Sequence, residues 1–80
     1  MEYLDGREQA QEYAIQTLGL LQRHGIAATP SNFRVWYDYA AGRNETLKAA
    51  LNVMITNRRE FTDKACAEIY EQFYKSRQEG

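Results

Sequence analysis

Disulfides, a structural zinc site and long apolar runs are all missing from this sequence. Its 80 residues contain one cysteine, Cys66, one histidine, His24, and one proline, Pro30. A lone cysteine forms no internal disulfide, and one Cys with one His cannot supply the four ligands of a structural zinc. A chain this short buries only about 60% of the surface that its unfolded form exposes. A core of this size supplies only about 3–5 kcal/mol net. With covalent and metal staples excluded, a partner subunit is the remaining source of stability, and a homodimer is expected.

Charge of one sign is equally scarce: ten Lys and Arg stand against eleven Asp and Glu, a formal net charge of −1. Such a chain generates no field to hold nucleic acid or an anionic membrane, so its expected partners are proteins, with no nucleic acid and no membrane. Apolar stretches last only a few residues, far short of the roughly 20 needed to span a bilayer. The start Met1-Glu2-Tyr3-Leu4-Asp5 has neither the basic opening nor the apolar run of a signal peptide. The expected location is the cytoplasm, where Cys66 stays reduced.

Nothing alternates with the period of two that a half-buried strand requires, and the glycines sit singly, mostly where helices should end. The pattern predicts an all-α fold, a compact bundle of four helices in one domain over residues 1–80, with helices at about 6–24, 30–41, 45–58 and 63–77. In the first, Asp5 is the expected N-cap, with Glu8 closing a capping box and Gly25 the left-handed stop. Ala10, Ala14, Thr17, Leu18 and Leu21 share its core face, flanked by Tyr13 and Leu20. The second helix opens on Thr29-Pro30, a capping threonine followed by proline at the first helical position, and ends at Gly42. The third carries Leu47, Ala50, Leu51, Met54 and Ile55 on one stripe and runs into Asn57-Arg58-Arg59. The fourth starts after Thr62, with Phe61 stapled to Cys66 and with Ile69, Tyr70 and Phe73 inward. The polar stretch Lys75–Gly80 reads as a helix continuing out of the domain, and the lack of a capping device before Gly80 fits a native chain that goes on, or equally a frayed natural terminus.

The second helix stands apart. Phe33, Trp36, Tyr37 and Ala40 form one apolar face, Val35 and Tyr39 point the other way, and Arg34 and Asp38 fill a narrow polar strip. A domain this small is not expected to cover both sides of one helix. Val35 and Tyr39, with Tyr74 of the fourth helix, are therefore the candidate interface.

Residues for chemistry are thin. A triad or dyad would have to use His24 with Cys66 or one of the two serines, Ser31 and Ser76, at spacings that offer no support. His24, in the last turn of its helix, is expected to serve the exposed carbonyls and the dipole there. Cys66, on an inward face, reads as a small hydrophobe. No carboxylate lies in an apolar run that would raise its pKa, and no glycine-rich loop precedes a helix. Catalytic, metal and cofactor residues are accordingly expected to be none. Arg58-Arg59 with Lys64 is the densest basic patch, a weak signal for a DNA-reading helix.

The segment Thr29-Pro30-Ser31-Asn32-Phe33-Arg34-Val35-Trp36-Tyr37-Asp38-Tyr39, with Gly25-Ile26 before it and Gly42 and Leu47 after it, resembles the short helical domain found ahead of the GGDEF catalytic domain in some bacterial diguanylate cyclases. The likeness extends from the Ala-rich first helix to Ile69-Tyr70 and Phe73-Tyr74. It implies a non-catalytic regulatory or dimerisation domain that controls the pairing of two GGDEF domains, which condense two GTP molecules into cyclic di-GMP. The Gly-Gly-Asp/Glu-Glu-Phe signature is absent here, so no catalytic or metal-binding residue carries over, and GTP and Mg are expected only for a cyclase domain elsewhere in the protein. What transfers is Pro30, Asn32, Phe33, Val35, Trp36 and Tyr37 as the domain's own signature. For Asn32 the expected role is closing a loop through backbone hydrogen bonds. The alternatives are a freestanding protein-interaction adaptor and, further off, a small DNA-binding module.

Overall fold

A computed structural model describes residues 6–75. Every regular element among them is helical: α1 (Arg7–Arg23), α2 (Pro30–Ala41), α3 (Glu45–Thr56) and α4 (Asp63–Tyr70), the last running directly into a π-helical turn over Glu71–Lys75. The expected all-α architecture of four helices is what folds. The helices form a compact bundle with extents of 35 × 32 × 21 Å.

Local chemistry accounts for the boundaries. Thr29, Asn44 and Thr62 each cap a helix by accepting a hydrogen bond from the backbone N–H three residues on, at Asn32, Leu47 and Ala65. Each cap satisfies an amide that has no partner within its helix. Pro30 occupies the first turn of α2, where its missing N–H costs nothing. α1 begins differently. Its N-cap is Gly6 with no side-chain cap, and Glu8 falls at the second helical position, not in the expected capping box. The predicted capping by Asp5, like the predicted run of the last helix to residue 77, lies outside the described residues.

Three helices close by one motif. After α1, Gly25 N–H donates to Gln22 O and Ile26 N–H to Leu21 O. After α2, Gly42 and Arg43 repeat the pattern on Tyr39 and Asp38, and after α3, Arg58 and Arg59 repeat it on Ile55 and Met54. These are Schellman closures, which need a left-handed residue at their centre. Gly25 and Gly42 adopt it at φ of 66° and 70°, but the third closure is made by Arg58 at φ 55°. The expected extension of α3 to residue 58 is therefore corrected, because the left-handed Arg58 ends the helix at Thr56.

The core is one cluster built from all four helices: Leu21, Val35, Trp36, Leu47, Leu51, Cys66 and Phe73, with Ile26 and Phe61 from the loops. α2 lies at its centre and packs on both α1 and α4. Thr17 is fully buried on α1, with its hydroxyl donating to the Tyr13 carbonyl at 2.6 Å, so it enters the core with no polar group left over. Leu18, expected inward, is 51% exposed. Ile15, on the same outer face, is 70% exposed.

Candidate functional site

The Thr29–Tyr39 segment is used largely to hold the domain together, and its faces meet different elements. On the α1 side, Tyr37 takes the edge of Tyr13 at a centroid distance of 5.7 Å, and Phe33 tilts against Tyr37 at 6.0 Å. Trp36 is 1% exposed, stacked by His24 at 5.4 Å and met edge-on by Phe61 at 5.3 Å. Asn32 donates from Nδ2 to the Ala27 carbonyl at 3.0 Å, which ties down the α1–α2 loop by the backbone role expected of it. Pro30 fixes the start of the helix and is exposed.

The other side of α2 corrects the interface expectation. Val35 is only 2% exposed and belongs to the core cluster, so it has no surface to offer a partner. Tyr39 is half-buried against the same cluster, and its hydroxyl donates to Asn52 Oδ1 of α3 at 2.5 Å. The physical reason is geometric. Neighbouring helices of 17, 12 and 8 residues pack on this 12-residue helix from more than one side. Asn52, an amide that a DNA-reading helix would need free, is thus engaged within the domain.

Of the polar strip of α2, Arg34 is exposed and Asp38 is covered. Asp38 is 6% exposed, and its Oδ2 accepts a hydrogen bond from the Tyr74 hydroxyl at 2.6 Å. Its second oxygen, Oδ1, is buried with no hydrogen-bond partner among the described residues. Tyr74, the third interface candidate, is half-buried, stacked on Tyr70 at 5.0 Å, with the Arg34 guanidinium lying 4.4 Å from its ring centroid. The π turn that carries it also holds Phe73 in the core. π turns recur at functional sites, and here the turn joins the end of α4 to the buried acid of α2. Beside it lies an open cleft of about 560 Å³ whose walls include Arg34, Arg43, Glu45 and Tyr74. Its charges are of both signs, which does not define a ligand.

His24 and Cys66 both lie against Phe61, but not as a nucleophile and its base. The Cys66 thiol donates to the Phe61 carbonyl at 3.8 Å, while the His24 ring lies across the Phe61 ring at 5.3 Å. Burial and the neighbouring Asp63 carboxylate push the thiol up from its ordinary value, so the reactive thiolate is disfavoured. Burial against the aromatic cluster, with the Arg23 charge adding to it, holds the His24 imidazole below its ordinary value. That opposes the dipole role expected from its position, since a helix C-terminus would favour the charged ring. Loss of hydration dominates because the ring is stacked on Trp36. Among the described residues no group of three His, Cys, Asp or Glu side chains is placed to hold a metal ion.

The features that the pattern did not anticipate are the Asp38–Tyr74 bond and the apolar patch on α1. The first has no local signal, because 36 residues separate the partners. The second was legible: at 100° per residue Ile15 points away from Ala14, Thr17 and Leu21. Models of known protein families, curated proteins and solved structures give no match to this chain.

Proposed function

We propose that this chain is a non-catalytic N-terminal regulatory or dimerisation domain of a diguanylate cyclase, controlling how two GGDEF domains pair for cyclic di-GMP synthesis from GTP. The observation that carries the reading is the use of the Thr29–Tyr39 segment. Its Thr29 caps α2 itself, and Asn32, Trp36, Tyr37 and Tyr39 each make a specific contact that fixes the position of one neighbouring element. A segment spent in this way produces a rigid body rather than a reaction centre, which is what a domain needs if it is to set the separation of two others. In this reading the GTP and the magnesium belong to the cyclase domain, the partners are a second copy and the protein's own output domain, and the protein works in the cytoplasm.

The test begins with the coding sequence beyond Gly80. An in-frame GGDEF domain supports the proposal, and cyclic di-GMP formation by that longer protein should then change at least severalfold when residues 1–80 are deleted. A stop codon at that point removes the cyclase reading and leaves a freestanding adaptor.

A further inference from the structure

Among the described residues the exposed large apolar side chains are Ile15 and Leu18 of α1 and Val53 of α3, and only the α1 pair shares a helix face. Ile15 and Leu18 are 70% and 51% exposed and sit three residues apart on the face opposite the core. Gln11 and Gln22, also exposed, extend the same line in steps of four, three and four, the spacing of a helix–helix seam. Gly19 lies beside them, in the interior of a 17-residue helix, where glycine costs roughly 0.5–1 kcal/mol relative to alanine. A Cβ at Gly19 would meet nothing within 4 Å, so no contact inside the domain explains its absence.

We infer that this face of α1 pairs with the same face of a second copy of the chain, antiparallel, about a two-fold axis near residue 17. Three observations select that occupant. At 100° per residue Glu12, Gly19 and Arg23 fall within about 40° of one another on one edge of the face. A two-fold axis across antiparallel helices brings that edge against itself with its direction reversed. Ile15 of each copy then covers Gly19 of the other, and Glu12 of each lies within a residue of Arg23 of the other. Lys48 lines the same groove beside Gly19, together with Arg23 and Tyr39, so two cations stand where the partner's Glu12 arrives. A parallel pair would instead set the Glu12–Arg23 edge against the opposite edge of the partner's face, where neither charge meets its counterpart, with the helix dipoles aligned unfavourably. The missing Cβ of Gly19 is what allows close approach.

The contact is one helix face on another, at the small end of specific interfaces, so the association is weak and responsive to whatever holds two chains together. Its biological meaning rests on the pairing role proposed above, but its geometry is read from α1 alone. Sedimentation of the 80-residue chain from about 10 µM to about 1 mM spans the affinities expected of such a surface. A monomer–dimer equilibrium is expected, and Ile15→Lys with Leu18→Lys should abolish it without changing the helical circular dichroism, since both side chains are exposed. Glu12→Arg and Arg23→Glu should each weaken association at least about tenfold, and the two together should restore it to within about threefold. Gly19→Ala should raise the melting temperature of dilute protein while weakening the dimer. A wild-type chain that stays monomeric, a Lys variant that still dimerises, or a charge exchange that fails to restore pairing each overturns the inference. A chain that pairs through α1 but is followed by no GGDEF domain would retire the cyclase reading and leave this surface standing.

Discussion

Arg58 offers the sharpest test of how this fold is held. Three helices end in the same pair of backbone hydrogen bonds, and each closure needs one residue at positive φ. Glycine takes that conformation without penalty, whereas an L side chain in the left-handed region costs about 1–2 kcal/mol. Glycine gives part of this back because it loses more freedom on folding, about 0.5–1 kcal/mol. Arg58→Gly should therefore stabilise the domain by about 0.5–1 kcal/mol. For a domain of this length each kcal/mol moves the melting temperature by about 4–8 °C, so the expected rise is about 2–8 °C.

The other two closures supply the control. A Cβ at Gly25 or Gly42 would meet nothing within 4 Å, so Gly25→Ala and Gly42→Ala report the backbone cost alone, free of steric clash. Each should lower stability by about 1 kcal/mol. Thermal melts and urea titrations at one fixed protein concentration measure all three, because any self-association makes the midpoint depend on concentration. An unchanged urea slope would place the effect in the folded state's stability and not in the compactness of either state. If Arg58→Gly lowers the midpoint while the two alanine variants lower it as well, the Arg58 side chain is stabilising and the strain argument fails. If the alanine variants are neutral, the closures themselves do not matter.

Other contacts make equally specific demands. Tyr74→Phe keeps the ring on Tyr70 and under Arg34 but leaves the buried Asp38 without its hydroxyl donor, and it should cost about 1.5–3 kcal/mol by urea titration; a change under about 0.3 kcal/mol would show the bond to be idle. His24 has a folded-state pKa below its unfolded value of about 6.5. Between those two values the unfolded chain binds more protons, so its contribution to stability is present above about pH 6.5 and is lost as pH falls through the folded value. His24→Phe should flatten that part of the stability–pH curve, and an unaltered curve would assign the loss to other groups. Cys66, buried with its thiol held protonated, should react with iodoacetamide at neutral pH only as fast as the domain opens, so that adding urea speeds alkylation; rapid reaction in native buffer would contradict the packing.

Most of the fold could be read from local rules because it obeys them locally. Thr29, Asn44 and Thr62 cap where short polar residues precede apolar periods, and Gly25 and Gly42 stop their helices by the conformational freedom that the sequence advertises. Arg58 escaped notice because nothing in an arginine signals a left-handed bend; the closure is imposed by the chain turning from α3 to α4. The π turn at Glu71–Lys75 was equally hidden, since the 3.6-residue period continues unbroken through Tyr70, Phe73 and Tyr74. Asp38 is the clearest instance of long-range override. Next to Arg34 on a helical wheel it looks like a solvated strip, and it is buried only because Tyr74 reaches across to it from the far end of the described chain.

The two apolar surpluses on the helices carry opposite lessons, and the difference follows from length. α2 spans about 18 Å and α1 about 25 Å at 1.5 Å per residue. A short central helix is packed by its neighbours on most sides, so an apolar pattern around most of its circumference is what burial requires, and Val35 needs no outside partner. A longer peripheral helix keeps an outer face that nothing in the domain covers, and apolar residues there have no such account. Ile15 and Leu18 of α1, with Val53 of α3 at 59% exposure, are the described residues whose hydrophobicity the domain leaves unused, and only the first two lie together on one helix face. Two-sided hydrophobicity thus marks the centre of this fold, and the exposed pair on its longest helix marks where a second copy should be sought.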